Sequence, residues 1–463
     1  MSGLTRRKAI PAAGERRSDA LAATLSWPHL LALGVGAIVG TGILTLIGVG
    51  ADRAGPAVLV SFAIAGLVCA CAALCYAELA AMMPAAGSAY SYSYSVLGEI
   101  FAWIVGWALI LEYSLVVSTV AVGWSGYATP LLTGIGFPAA LTNGPELGGI
   151  INLPAVFIIG VVTALLLVGT RESARINTAL VVVKIVTLSL FVAVALPYFD
   201  GANLTPFNPY GFAAHEVGGE QRGIMAAAAI IFFAFYGFDA ISTAAEETKR
   251  PERDLAIGIV GSMAACTVIY ILVAAAAVGA LPYTKFANSP EPLALILREL
   301  GQGDIAKVIA VAAIVALPTV LLAFLYGQSR IFLAMARDGF LPKSLAKISP
   351  RGVPSRITIA TAVLVAVLAG VLPIGEIAAL ANAGTLIAFI AVGACLIVMR
   401  RRSPELRRPF RAPFGVVVGI SCILGCAYLL VSLPAKTLIA CAIWNAAGFA
   451  IYFLYARGRS LLA

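Results

Sequence analysis

The chain has 463 residues, of which 61% are hydrophobic and only 11% charged, with 31 Lys and Arg against 22 Asp and Glu and a mean hydropathy of +0.98. That balance excludes a water-soluble domain. Apolar runs of roughly 20 residues recur along nearly the whole length, each long enough to cross the ~30 Å hydrocarbon core, so the fold class is an all-α polytopic membrane protein.

About twelve spans are expected, near 30–52, 56–82, 100–128, 151–170, 175–196, 222–247, 256–281, 305–337, 355–372, 378–400, 415–433 and 437–457. Residues 1–29 carry Arg6, Arg7, Lys8, Arg16 and Arg17 without an apolar core and cleavage site, and read as a cytoplasmic tail rather than a signal peptide. With the N-terminus inside, 24 of the 31 basic residues fall on the cytoplasmic side and six outside. The positive-inside rule then gives cytoplasmic N- and C-termini in the cell (inner or plasma) membrane. It also accounts for the net charge of +9 without a nucleic-acid partner. All eight cysteines lie within spans, and the two histidines, His29 and His215, are far apart in sequence. No disulfide framework, metal site, cofactor or histidine-based catalysis is expected.

Span 1 contains Gly34-Val-Gly-Ala-Ile-Val-Gly-Thr-Gly-Ile-Leu44, four glycines in nine residues. Glycine in a helix interior costs ~1 kcal/mol against alanine. A backbone released at membrane depth survives only inside protein or beside a cavity. Gly36 and Gly40 could instead form a small-xxx-small packing face between intact helices. Gly40-Thr41-Gly42 argues for a break, because two glycines around a hydroxyl offer the exposed N–H groups that a carboxylate needs. The spacing is not that of a dinucleotide loop.

Between spans 2 and 3, Gly87-Ser-Ala-Tyr-Ser-Tyr-Ser-Tyr-Ser95 reads as an interfacial segment, a short strand or a surface helix, with its tyrosines in the aromatic belt. Span 3 carries Glu112 well inside its run. Span 5 carries Lys184, too central to snorkel. Ionisable residues at this depth face the bundle interior and mark ion or substrate paths, so both are candidates to exchange a proton. The alternative is a structural role for each.

Span 6 includes Tyr236-Gly-Phe-Asp-Ala-Ile-Ser242, in which Gly237 beside Asp239 marks a second interruption. Carbonyls exposed at such a break suit a cation. Breaks in spans 1 and 6 occupy corresponding positions of two five-helix halves, the best sequence pointer to a transporter site at the bilayer midplane. Amides from one and carbonyls from the other imply a ligand with both a carboxylate and an ammonium, an amino acid. The domains follow: residues 1–29 as tail, 30–400 as a transport core of two inverted five-helix repeats (about 30–196 and 222–400), and 401–463 as two peripheral helices with a short C-terminus.

Val35-Gly-Ala-Ile-Val-Gly-Thr-Gly-Ile43, Tyr236-Gly-Phe-Asp-Ala-Ile-Ser-Thr-Ala-Ala-Glu-Glu247, and Tyr326-Gly-Gln-Ser-Arg330 with Arg337-Asp-Gly-Phe-Leu-Pro342 resemble the amino acid–polyamine–organocation superfamily. More narrowly, they are similar to the bacterial cationic amino acid transporter family. The resemblance implies a five-plus-five inverted repeat with two extra helices and alternating access. By it, the substrate carboxylate meets the backbone of Gly40, Thr41 and Gly42. The amine meets carbonyls of Ile38, Phe233, Ala234 and Tyr236, and Phe238 closes over the substrate from outside. Lys184 stands where sodium-coupled relatives bind sodium, which implies a proton as the coupling ion.

Leu44, Tyr236 and Leu317-Pro318-Thr319 depart from the family pattern, the last with a single hydroxyl beside a proline. Bulky Phe324 and Leu325 crowd the side-chain pocket, which favours small neutral, alanine-like substrates over cationic ones. The expected function is proton-coupled import, with an amino acid exchanger as the alternative. A membrane enzyme is not expected, because the chain lacks histidine pairs, metal-ligand clusters and a nucleophile–base constellation; a sensor would carry a signalling domain, and a channel has no need of two ligand-shaped breaks. The sequence leaves open a small accessory membrane helix as a partner.

Overall fold

The computed structural model describes residues 6–9, 21–145, 148–287, 289, 291–371 and 374–461, with the side chains of 41, 130, 131, 171, 172 and 374–379 outside the description. Arg16 and Arg17 of the tail therefore lie outside the described residues, as does the hydroxyl of Thr41. Among the described residues, eight helical stretches are long and apolar enough to cross a membrane, and four shorter apolar helices complete the set. Each expected span coincides with one of these or, in span 1, with a broken pair.

Span 1 runs as Trp27–Ile38, stops, and restarts as Thr41–Leu44 and Leu46–Ala54. Gly55, with φ 62°, turns the chain into span 2, Val58–Met82. Span 3 is Glu99–Gly134, whose 36 residues rise ~54 Å at ~1.5 Å each and so outrun the hydrocarbon core at both ends. Spans 4 and 5 are Leu153–Val168 and Thr170–Ala195. Span 6 is Ile224–Ile231 and a tight turn Phe232–Ala234, then an interruption, then Asp239–Thr243. Span 7 is Pro251–Ala280, and span 8 is Gly303–Ala316 followed by Pro318–Arg337. Spans 9 to 12 are Ser355–Val371, Ile374–Arg402, Gly415–Val431 and Ala435–Ile451.

Pro318 shows how span 8 tolerates its proline. It lacks the N–H that would serve the Ile314 carbonyl, and the indole of Trp124 donates to that oxygen at 2.7 Å instead. The freed acceptor is satisfied from span 3, which fixes spans 3 and 8 against each other at this level.

One expectation is corrected, the aromatic-belt placement of the tyrosines before span 3, and one feature was not anticipated, a hairpin before span 6. The segment before span 3 is a short helix, Ala89–Val96, and Tyr90, Tyr92 and Tyr94 are buried in protein rather than set in an aromatic belt. The hydroxyl of Tyr90 donates to Asp338 at 2.9 Å, and that of Tyr94 lies 3.1 Å from Ser460. These polar partners let Tyr90 and Tyr94 go inside. Secondly, the loop before span 6 holds a two-stranded antiparallel hairpin, His215–Val217 with Glu220–Arg222. Gly218 and Gly219, both at positive φ, supply the two-residue turn that such a hairpin needs. Arg53 of span 1 donates to the Gln221 carbonyl at 2.8 Å and so ties the hairpin down.

The basic end of the bundle is closed by buried polar contacts. The guanidinium of Arg330 meets Glu247 at 2.9 Å, both side chains 1% exposed. The Tyr326 hydroxyl donates to the same carboxylate, and the Arg330 guanidinium stacks 3.8 Å above the Tyr326 ring. Leu25 N–H donates to the Glu247 carbonyl at 2.9 Å and Lys249 N–H returns to that of Leu25 at 2.9 Å. The start of span 1, the end of span 6 and the middle of span 8 are thereby joined.

Candidate functional site

The break in span 1 leaves backbone groups that a continuous helix would have paired. Val39 is extended (φ −74°, ψ 98°), so the carbonyls of Gly36, Ile38 and Val39 lose their partners four residues on. Each finds another. The Lys184 ammonium donates to Gly36 O at 2.9 Å and to Val39 O. Thr319 Oγ1 donates to Gly36 O at 3.1 Å. The Tyr270 hydroxyl lies 2.6 Å from Ile38 O and 2.9 Å from Ala234 O.

On the other side of the break, the helix restarts with amides that have no acceptor within it. Gly40 and Gly42 are at this point, and each approaches a neighbour closely. A methyl on Gly40 would come within 2.7 Å of Val320, and one on Gly42 within 2.4 Å of the Ala234 Cα. Gly34 and Gly36 serve packing inside the intact half: a methyl on Gly36 would meet the Asn177 side chain at 2.9 Å. The stretch thus combines two roles, packing glycines before the break and backbone-exposing glycines at it.

In span 6 the chain turns at Gly237, φ 122°. That conformation is open to glycine and strained for other residues. A side chain there would also run into Ala37 at 2.9 Å, so the two breaks face each other directly. Asp239 caps its own break by accepting the Gly237 N–H at 3.1 Å, and it takes the Tyr113 hydroxyl at 2.5 Å.

Between the breaks lies a cavity lined by Ala37, Ile38, Gly40, Gly42, Val116, Val120, Phe233, Tyr236, Val320 and Phe324. Its volume is about 10 Å³, room for roughly one water, so a ligand must move the walls to enter. The Phe233 and Tyr236 rings stand 5.1 Å apart and the Tyr236 and Phe324 rings 6.1 Å. Among the described residues, no charged side chain lines it.

The expected site residues divide as follows. Ile38, Gly40, Gly42, Phe233, Tyr236 and Phe324 line the cavity, and Ala234 sits behind Gly42. Phe238 is elsewhere, packed on Tyr76 (5.8 Å) and Phe389 (5.2 Å) rather than over the cavity. Leu325 is buried but is not in the lining. Lys184 lies behind the span 1 break, not in the cavity. Glu112 is fully buried, its carboxylate without a hydrogen-bond partner among the described residues. Asp239 is the charged group that acts on that carboxylate, and the Thr385 hydroxyl is near it.

Five contributors were missed from sequence: Ala37, Val116, Val120 and Val320 in the lining, and Tyr270 between the breaks. Tyr270 joins the two breaks, yet a lone tyrosine in an apolar run carries no signal. Val116 and Val120 follow Glu112 at helical spacing on span 3, a pattern that could have placed them on the same inward stripe.

A family model described as "Amino acid permease" matches residues 25–454. The chain belongs to this family. A methylthioribose transporter of Bacillus subtilis is 43% identical across 100% of both chains. The branched-chain amino acid permease BcaP of the same species is 44% identical over 94% of this permease and 93% of its own length. The vacuolar cationic amino acid transporter 4 of Arabidopsis thaliana is 38% identical over 88% of this permease and 68% of its own. These relatives are transporters, and the permease is a multi-pass membrane protein and not an enzyme.

Proposed function

We propose that this permease imports amino acids across the cell membrane by alternating access, in symport with protons, with both termini and the basic end in the cytoplasm. The observation that carries the reading is the facing of two helix breaks across one small apolar cavity, Gly40–Gly42 on one side and Phe233–Tyr236 on the other. Amides of the first suit a carboxylate and carbonyls of the second an ammonium. The Tyr270 hydroxyl between Ile38 O and Ala234 O has one proton for two acceptors, so one carbonyl remains available to a bound ammonium.

The side-chain end is walled by Val116, Val120, Val320 and Phe324. Such walls favour neutral aliphatic side chains, in keeping with the branched-chain amino acid permease among the relatives. A cationic side chain ranks second, because no acid lines the cavity. Methylthioribose carries neither carboxylate nor ammonium and would leave both breaks unpaired, a poorer fit. Lys184 supports proton rather than sodium coupling, since a fixed ammonium on the Gly36 and Val39 carbonyls occupies the acceptors that a metal cation would need. Glu112 is the second group placed to exchange a proton. Asp239, held by Tyr113 and Gly237, has the positioning role.

The test is uptake of labelled leucine, alanine, lysine and methylthioribose by the purified protein in proteoliposomes. Leucine or alanine uptake above the others supports the reading. Methylthioribose alone would overturn it. Exchange without net uptake would select the alternative, an antiporter using the same site.

A further inference from the structure

Spans 10 and 11 are joined at the basic end by residues 403–414, Ser-Pro-Glu-Leu-Arg-Arg-Pro-Phe-Arg-Ala-Pro-Phe, directly after Arg400-Arg-Arg402. The loop folds around a cavity of about 310 Å³ lined by Arg400, Pro404, Leu406, Arg408 and Arg411. It lies apart from the cavity between the breaks and has the opposite character, being basic and open rather than apolar and closed.

Beneath it lies the carboxylate of Glu78 of span 2, 1% exposed. Arg400 grips that carboxylate with two nitrogens at 3.0 and 2.5 Å, the Ala412 N–H adds a third bond at 2.7 Å, and Arg408 Nε lies 3.3 Å away. The terminal nitrogens of Arg408 are consumed by the carbonyls of Met399, Ser403, Pro404 and Leu406. Arg400 Nη1 and the whole guanidinium of Arg411 have no acceptor among the described residues. The guanidinium groups of Arg400 and Arg408 therefore share one carboxylate, Arg411 adds a third at the cavity wall, and donors remain on Arg400 and Arg411. An excess of positive charge with free planar N–H groups is the arrangement that holds a phosphate.

A second observation concerns the source of that phosphate. Phe414, which opens span 11, is 85% exposed and sits at φ 52°, a left-handed conformation uncommon for a bulky residue. The chain thus holds an aromatic ring outward, three residues after Arg411 of the cavity wall, at the start of span 11. Aromatic rings belong at the headgroup boundary, and basic pockets between helices at this depth suit acidic headgroups.

We propose that this cavity binds the phosphate of an acidic phospholipid, with Arg411 and Arg400 on its oxygens and Phe414 against the start of its acyl chains. The bound lipid fastens the loop over Glu78 and so holds spans 2, 10 and 11 together at the basic end.

The experiment is native mass spectrometry of the full chain in neutral detergent, titrated with short-chain phosphatidylglycerol, with and without millimolar inorganic phosphate. The wild type and Lys347→Gln, which removes an exposed charge elsewhere on the same end, bind one lipid equally. Arg411→Gln binds roughly tenfold more weakly or worse, for loss of a charge-assisted fork. Phe414→Ser weakens lipid without creating a phosphate dependence. A phosphate adduct that displaces the lipid at phosphate concentrations below that of the lipid would overturn the lipid as the source and assign the cavity to a free anion. Equal loss in Arg411→Gln and Lys347→Gln, or no loss in either, would overturn the site itself.

Discussion

The ammonium of Lys184 donates to the carbonyl oxygen of Gly36 at 2.9 Å, across from the hydroxyl of Thr319 on the same oxygen. A side chain from span 5 thereby supplies charge to the negative, C-terminal end of the first half of span 1. The break and the lysine depend on each other: without the break the carbonyls would be paired in the helix, and without them an ammonium at this depth would have no partner.

Replacing Lys184 by alanine should strip Gly36 and Val39 of their donor and loosen the first half of span 1. Uptake should fall, and what remains should no longer vary with external pH. Measuring initial rates between pH 5 and 8 checks this. A variant with an unchanged pH profile would return Lys184 to a purely structural role.

Glu112→Gln keeps the shape of a fully buried side chain and removes its charge. The expected result is a flattened proton dependence with near-normal thermal stability, since the amide keeps the shape and burial of the carboxyl group. Thermal unfolding and pH-dependent uptake, run on the same preparation, separate a coupling role from a packing one.

Gly42→Ala places a methyl 2.4 Å from the Ala234 Cα, a backbone neighbour that cannot swing aside. Overpacking of this kind costs ~1–3 kcal/mol, and here it would push the two breaks apart. Substrate-induced thermal stabilisation should disappear. Retention of normal affinity would show that span 1 does not form the carboxylate end of the site.

Tyr270→Phe removes one hydroxyl from between Ile38 O and Ala234 O. Leaving buried carbonyls short of a donor costs ~1–3 kcal/mol. The apo protein should melt earlier, while added substrate, whose ammonium can take the vacated acceptors, should restore more stability than it gives the wild type. Comparing the two shifts in melting temperature tests this.

Much of the site was legible because it breaks rules. Four glycines in nine residues cannot sit easily in a membrane helix, and a glycine before Asp239 repeats the signal five spans later. Lys184 and Glu112 stood out because charge at that depth demands a partner. What stayed hidden breaks no rule. Tyr270 looks like any core aromatic until its hydroxyl is seen between two carbonyls. Phe238 has the position of a lid in sequence, but its ring is taken by Tyr76 and Phe389, and Phe233 and Tyr236 face the cavity in its place. Tyr90 and Tyr94 resemble an interfacial belt because sequence does not show that Asp338 and Ser460, more than 240 positions on, come round to meet them.

The central claim is proton-driven import of an amino acid through the cavity between the two breaks. It is tested most directly by uptake of labelled leucine into proteoliposomes that contain only this protein and no internal amino acid, with and without an inward proton gradient. Net uptake that rises with the gradient, and loses that dependence in Lys184→Ala, is the predicted result. No uptake until amino acid is loaded inside would contradict it, and would make the permease an exchanger in which Lys184 is a fixed occupant of the cation position.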